Sequence, residues 1–234
     1  MENIMLISVH IPKTAGTSLG TALTQVFGDK LLLDYADKPL SDTLIHRYTR
    51  LQHRLQLKYK PQVITNNYHA VHGHFIADKY AVLGEKAQFC TFFREPLARL
   101  VSHYQHWQRN PDLKNSMCRQ LITQQLSITA FAKLTKQRHF YRLFCGTIPV
   151  EHFHFVGLTE AYTDSIALFN KLFNLQLPVL VENEGEGQDY QQWLKDRGAY
   201  IDIQTIQQEN QRYYSDACRH FEHLCTTHFN RQEY

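Results

Sequence analysis

Long apolar runs are missing from this chain. No stretch approaches the roughly 18–20 apolar residues that span a bilayer. The N-terminal run, MENIMLISVHIPKTAG, is broken by His10 and Pro12 and lacks a basic lead, so it does not read as a signal peptide. The expectation is a cytoplasmic protein with no membrane span. Cysteine is scarce and unpatterned: Cys90, Cys118, Cys145, Cys218 and Cys225 are scattered, odd in number and never spaced CxxC. That argues against a disulfide framework and a structural zinc site, and for reduced thiols. Charge of one sign is lacking too. The 25 basic and 22 acidic residues leave a net +3, too little to imply a nucleic-acid partner. No repeat, low-complexity run or linker divides the chain, so residues 1–234 read as one domain. The segment Glu182–Gln188, ENEGEGQ, is the best loop candidate. What is present suits a buried core: 43% of the 234 residues are hydrophobic and 20% charged, which excludes wholesale disorder. Histidine is abundant, at 14.

Strand and helix patterns alternate along the chain. Ile4–His10 and Gln88–Phe93 read as buried strands, Phe153–Leu158 as another strand, and Gln62–Thr65 and Ala70–His72 as short strand candidates. Helical spacing marks Thr17 to Phe27 (Leu19, Ala22, Leu23 and Val26 on one face), Leu44–Leu57, Leu97–Gln108, Ser127–Leu134, Phe140–Phe144 and Thr163–Phe173. A single long helix is expected over Asp202–Phe229. Such alternation predicts an α/β fold, a parallel sheet with helices on both faces. Ligands of these sheets bind beyond the carboxyl ends of the strands.

Two strand–loop–helix junctions carry anion chemistry. In His10–Leu19, HIPKTAGTSL, backbone N–H groups and a helix N-terminus form an anion site. Gly16 allows close approach, Thr17 and Ser18 add hydroxyls, and Lys13 adds a positive charge. The order differs from G-x-x-x-x-G-K-[ST] and from G-x-G-x-x-G. The same Ser and Thr also suit a plain helix cap with Lys13 solvated. In Phe92–Trp107, FFREPLARLVSHYQHW, Arg94 ends a strand, and Arg99 and Ser102 follow three apart on the next helix. Arginine binds phosphate bidentately and serine donates to it. An ion pair of Arg94 with Glu95 is the plainer alternative.

Together the two junctions resemble the sulfotransferase family. HIPKTAGTS is similar to its 5′-phosphosulfate loop. The R-E-P-x-x-R-x-x-S-x-Y run is similar to its 3′-phosphate motif, with Glu95 where the family usually has Asp. The resemblance implies a P-loop-like fold that binds 3′-phosphoadenosine 5′-phosphosulfate (PAPS) through Lys13, Thr14, Ala15, Gly16, Thr17, Ser18, Arg94 and Ser102, with 3′-phosphoadenosine 5′-phosphate (PAP) as product.

Tyr68–Phe75, YHAVHGHF, adds a histidine pair, His72 and His74, around Gly73. A metal site would need a third ligand, and none lies nearby in the sequence. A general base is a second reading and a structural histidine a third. H-G-H followed by R-[DE]-P resembles the uronyl or heparan sulfate 2-O-sulfotransferase branch, as does Phe155–Phe173 with its V-G-x-T-E pattern. The resemblance covers residues 4–108 and 153–173. It implies His74 as base, His72 as an assisting residue, Lys13 at the leaving oxygen, and no obligatory metal. The acceptor it implies is a hydroxyl on a glycan or glycosylated small molecule. Arg47, Arg50 and Arg54 fall at helical spacing, as a solvated face or a basic lip for an acidic sugar. The acidic 182–188 loop departs from the branch. His152 and His154 read as structural or surface residues. Two rivals stay open: a non-catalytic protein binding a phosphonucleotide or anionic glycan, and a P-loop-type nucleotide phosphotransferase.

Overall fold

The computed structural model describes residues 4–180 and 189–229. Five strands form one sheet: β1 (Met5–Val9), β2 (Leu31–Leu33), β3 (Ala70–Gly73), β4 (Ala87–Phe93) and β5 (Phe155–Leu158). Their order is β2-β3-β1-β4-β5, and every neighbouring pair is parallel. Helices flank the sheet. The first half of the chain supplies α1 (Gly16–Phe27), α2 (Leu44–Tyr59), α3 (Gln62–Thr65), α4 (Pro96–Arg109) and α5 (Ser116–Thr123). The second half supplies α6 (Ile128–Lys133), α7 (Thr135–Arg138), α8 (Phe140–Cys145), α9 (Tyr162–Phe173), α10 (Tyr190–Lys195), α11 (Tyr200–Ile206) and α12 (Gln208–Phe229). Among the described residues no helix is long and apolar enough to cross a membrane.

The sheet is parallel because its strands are covered on both faces and joined by crossovers. All five residues of β1 are buried, as are six of the seven in β4. β1 lies at the centre. The chain builds β2 and β3 on one side of it, then crosses to build β4 and β5 on the other. That reversal opens a crevice beyond the carboxyl end of β1, where open α/β sheets hold their ligands.

The α4 helix starts where its sequence dictates. Pro96 occupies the first turn, where a missing N–H costs nothing, and the Glu95 carboxylate accepts from the Ala98 N–H at 2.7 Å. Three expectations need correction. Gln62–Thr65 is a helical turn after Pro61 and not a strand; a short apolar run does not declare its period. Val26 is 38% exposed and not part of the buried face of α1. The helix expected over Asp202–Phe229 breaks at Gln207. There Gln207 and Asn210 turn inward, and the Asn210 amide donates to the carbonyls of Gln137 (2.9 Å) and Arg138 (3.1 Å). The strand β2 and the helices α5, α7 and α10 are additions. Each is eight residues or shorter.

A buried ion network fixes the segment after β2. The Lys79 ammonium donates to Asp34 at 2.5 Å and to Asp37 at 3.0 Å, and the Tyr80 hydroxyl donates to Asp34 at 2.8 Å. Asp37 also holds His53 at 2.8 Å. Asp34, Asp37 and His53 are near enough for a metal, but the one Lys79 ammonium already bridges both carboxylates. Removing one partner of a buried pair leaves uncompensated charge and costs about 3–5 kcal/mol. Lys79→Met is therefore expected to lower the unfolding free energy by about that amount in urea titrations. Asp34→Asn and Asp37→Asn added to it should restore part of the loss. A change below about 1 kcal/mol would show that the network is solvated.

Candidate active site

Beyond β1 the chain turns through His10–Ala15 and enters α1 at Gly16. Lys13 (φ 71°) and Ala15 (φ 63°) both adopt left-handed backbone, although neither is glycine. Such a conformation costs about 1–2 kcal/mol per residue, and it curls successive N–H groups into an anion-binding concavity. Ala15 stands at the N-cap and supplies no side-chain bond to the helix. The first N–H groups of α1 thus have no side-chain cap at that position, which suits them to an external anion. Thr17 and Ser18 lie inside the helix, so the plain-cap alternative does not describe them. Thr14 is buried, and its hydroxyl donates to the Ile11 carbonyl at 2.8 Å. It staples the loop and does not line the cleft.

The second junction lies beside the first because β4 pairs with β1 in parallel register, Val9 opposite Thr91. The Arg94 guanidinium reaches the Lys13 carbonyl at 3.5 Å. The Tyr141 hydroxyl donates to the Arg94 carbonyl and anchors this loop from α8. Burial pushes the Lys13 ammonium down from its ordinary value, and the nearby Arg94 and Arg109 charges push it further. Ser102, two turns into α4, lines the same cleft as Lys13 and Arg94. Arg99 does not. It is fully buried, its guanidinium lies 3.6 Å over the Phe140 ring, and it donates to Gln137 at 3.0 Å.

Three imidazoles gather at the ends of β1 and β3. The His10 ring lies 5.1 Å from His72 and 4.2 Å from His74, and its Nδ1 pairs with the Tyr35 hydroxyl at 3.0 Å. Gly16 and Gly20, one turn apart on α1, make the space. A Cβ on Gly16 would meet the His10 ring at 1.9 Å, and one on Gly20 would meet the His72 ring at 2.8 Å. His72 is fully buried, and its Nδ1 pairs with the Ser8 hydroxyl at 2.8 Å. It stands behind the cleft wall. His74, one residue past β3, lines the cleft, and its buried Nε2 has no hydrogen-bond partner. Burial drives all three toward the neutral form. His72 falls to about 3, with His74 adding to the shift and a Gly16 backbone bond opposing it. His74 falls to about 4 by burial alone, and His10 falls well below its ordinary value.

One cleft of about 1270 Å³ collects Lys13, Ala15, Gly16, Thr17, Ser18, His74, Arg94 and Ser102. It also takes in His10, Tyr35, His106, Trp107 and Glu160, none of which was assigned a role from the sequence. The signal for His10 was its place at the end of the strand that feeds the loop. Arg50, expected on a shared basic face, turns inward and donates to the carbonyls of Asp37 (3.0 Å), Lys38 (3.1 Å) and Ser41 (3.0 Å). Arg47 and Arg54 remain exposed. The 182–188 loop lies outside the described residues.

The family model described as "Sulfotransferase family" matches residues 2–226. Among solved structures, a sulfotransferase from Alicyclobacillus acidocaldarius aligns at 11% identity and a TM-score of 0.45, over 89% of this chain and 97% of its own. A mouse sulfotransferase complexed with PAP aligns at 10% identity and a TM-score of 0.44, over 100% of this chain and 87% of its own. No curated protein matches.

The neutral histidines set an acid limit on stability. His72 and His74 hold protons more weakly in the fold (about 3 and about 4) than at the ordinary 6.5 of an exposed ring. As pH falls, the unfolded chain binds protons first. Stability is expected to be complete above about pH 6.5 and to decline from there toward about pH 3. Imidazole NMR titration should find both rings neutral at pH 5.5. Midpoints near the ordinary value would mean that the rings are solvated.

Proposed function

The chain belongs to the sulfotransferase family, and from that premise we propose that it moves a sulfuryl group from PAPS to an acceptor hydroxyl with His74 as general base. One observation carries the proposal: the Lys13 loop, Arg94, Ser102 and His74 line a single cleft at the carboxyl ends of adjacent strands, and the buried His74 Nε2 has no hydrogen-bond partner. The phosphosulfate is assigned to the loop from Lys13 to Ser18, and the 3′-phosphate to Arg94 and Ser102. A 1270 Å³ cleft exceeds the roughly 300–1,000 Å³ of ordinary small-molecule sites, which leaves room for donor and acceptor together.

In the transfer, the acceptor oxygen attacks sulfur while the bond from sulfur to the bridging phosphate oxygen breaks. The hydroxyl proton passes to His74 Nε2, and the electron pair leaves with PAP. Neutral His74 is the form that accepts. Its partner-free Nε2 favours that role, with the ring proton on Nδ1. Lys13 offsets the charge that develops on the leaving oxygen. His72 is a positioning residue: clamped by Ser8 and seated on Gly20, it supports the imidazole cluster from behind. Positioning and charge stabilisation carry most of the rate, by analogy with phosphoryl transfer. The acceptor is assigned to the carbohydrate class. Tyr35, 38% exposed with its ring 4.9 Å from that of His74, offers a flat face for a sugar ring beside the base.

The test is transfer of labelled sulfate from PAPS to a panel of glycans and glycosides. His74→Ala is expected to lower kcat by about 10²–10⁴-fold while the PAPS KM stays within about twofold. Lys13→Ala should damage both kcat and KM. Unchanged turnover in His74→Ala would remove the base assignment. PAPS binding without transfer to any panel member would favour a non-catalytic binder.

A further inference from the structure

We infer that α2 is a docking helix that lays its outer face on an anionic membrane surface. Leu44, Tyr48, Leu51, Leu55 and Tyr59 recur every three or four residues, so they form one stripe along the helix. All five are exposed, from 43% at Leu55 to 82% at Leu44. The opposite face grips the protein body. There Arg50 bonds three carbonyls, His53 pairs with Asp37, His46 Nδ1 lies 2.7 Å from the Ser41 hydroxyl, and Leu57 is buried. The amphipathic helix is thus mounted with its polar side inward and its apolar side outward, the reverse of a helix that covers a core. Leu33, Ile45 and Val63 extend the exposed apolar surface nearby.

Charge selects the occupant. No acidic residue occurs from Thr43 to Ala77, whereas Arg47, Arg54, Lys58 and Lys60 all lie exposed on or just after the helix. A second copy docked through the same stripe would set these cations against their own equivalents, with no acid on either helix to pair with. A bilayer containing anionic lipid answers both features: its acyl boundary takes Leu and Tyr, and its headgroups take the flanking cations. The geometry suits a helix that lies in the interface and does not span it. The inward grip of Arg50 ties α2 to the Lys38–Leu40 segment that lines the cleft, so docking sets one wall of the cleft beside the lipid surface.

The test is vesicle flotation of the intact chain. Vesicles of phosphatidylcholine with about 30% phosphatidylglycerol are compared with pure phosphatidylcholine at about 0.1 M and 0.5 M salt. Binding is expected only with the anionic lipid, weakening at least about tenfold at high salt. Leu51→Gln with Leu55→Gln, and separately Arg54→Glu with Lys58→Glu, should each reduce it about tenfold or more. All four positions are solvent-exposed, and circular dichroism is the check that each variant folds. Absence of flotation with a monomeric sedimentation profile would overturn the inference. So would anionic-vesicle binding that both variants retain. A concentration-dependent dimer abolished by the leucine variant, without vesicle binding, would reassign the face to self-association.

Discussion

Two positive side chains are held together by the hydrogen-bonding register of two parallel strands. β1 and β4 are neighbours, so the loops at their carboxyl ends must share one crevice, and Arg94 comes to rest against the Lys13 carbonyl. Burial and the Arg94 charge both work against the Lys13 ammonium. A protein keeps such an arrangement at some cost unless an anion resolves it. The left-handed turns at Lys13 and Ala15 add backbone strain to the same few residues. Strain and like-charge crowding in one loop are what a binding site for a doubly anionic ligand requires.

The histidine cluster depends on that loop as well. Gly16 belongs both to the anion loop and to the small-residue face of α1, on which His10 and His72 lie. A side chain at Gly16 would displace the His10 ring and disturb His74 behind it. The proposed base and the proposed donor loop are therefore coupled through a few atoms of glycine backbone. Keeping the three rings neutral avoids adding more positive charge beside Lys13. It also leaves His74 with a free lone pair at neutral pH. The ion network of Lys79 with Asp34 and Asp37 steadies the neighbouring segment from the far side of β3.

Much of this architecture was legible in the sequence. Long strands such as Gln88–Phe93 and helices opened by a clear signal, as at Pro96, emerged within a residue or two. The loop, Arg94 and Ser102 were picked out at strand–loop–helix junctions and His74 through the H-G-H resemblance, and all of them line one cleft. Tertiary choices were not legible. Arg99 and Ser102, three apart on one helix, diverge because Arg99 turns onto Phe140 and Gln137. Thr14 spends its hydroxyl on its own loop, and His72 is walled off by Ser8 and Gly20. Tyr35 joins the site through packing that no local period encodes. The orientation of α2 was hidden for a related reason: periodicity marks an apolar stripe but does not say which way it faces.

Calorimetric binding of PAP, with AMP as the control, tests the central claim that adjacent strand ends create one site for separated anionic groups. The account predicts that PAP binds at least about tenfold more tightly than AMP, and that Arg94→Ala removes this preference while leaving AMP binding nearly unchanged, a difference of about 1.4 kcal/mol or more. Equal affinity for PAP and AMP in the unaltered protein would contradict it. Arg94 and Ser102 would then be parts of the scaffold and not of the donor site.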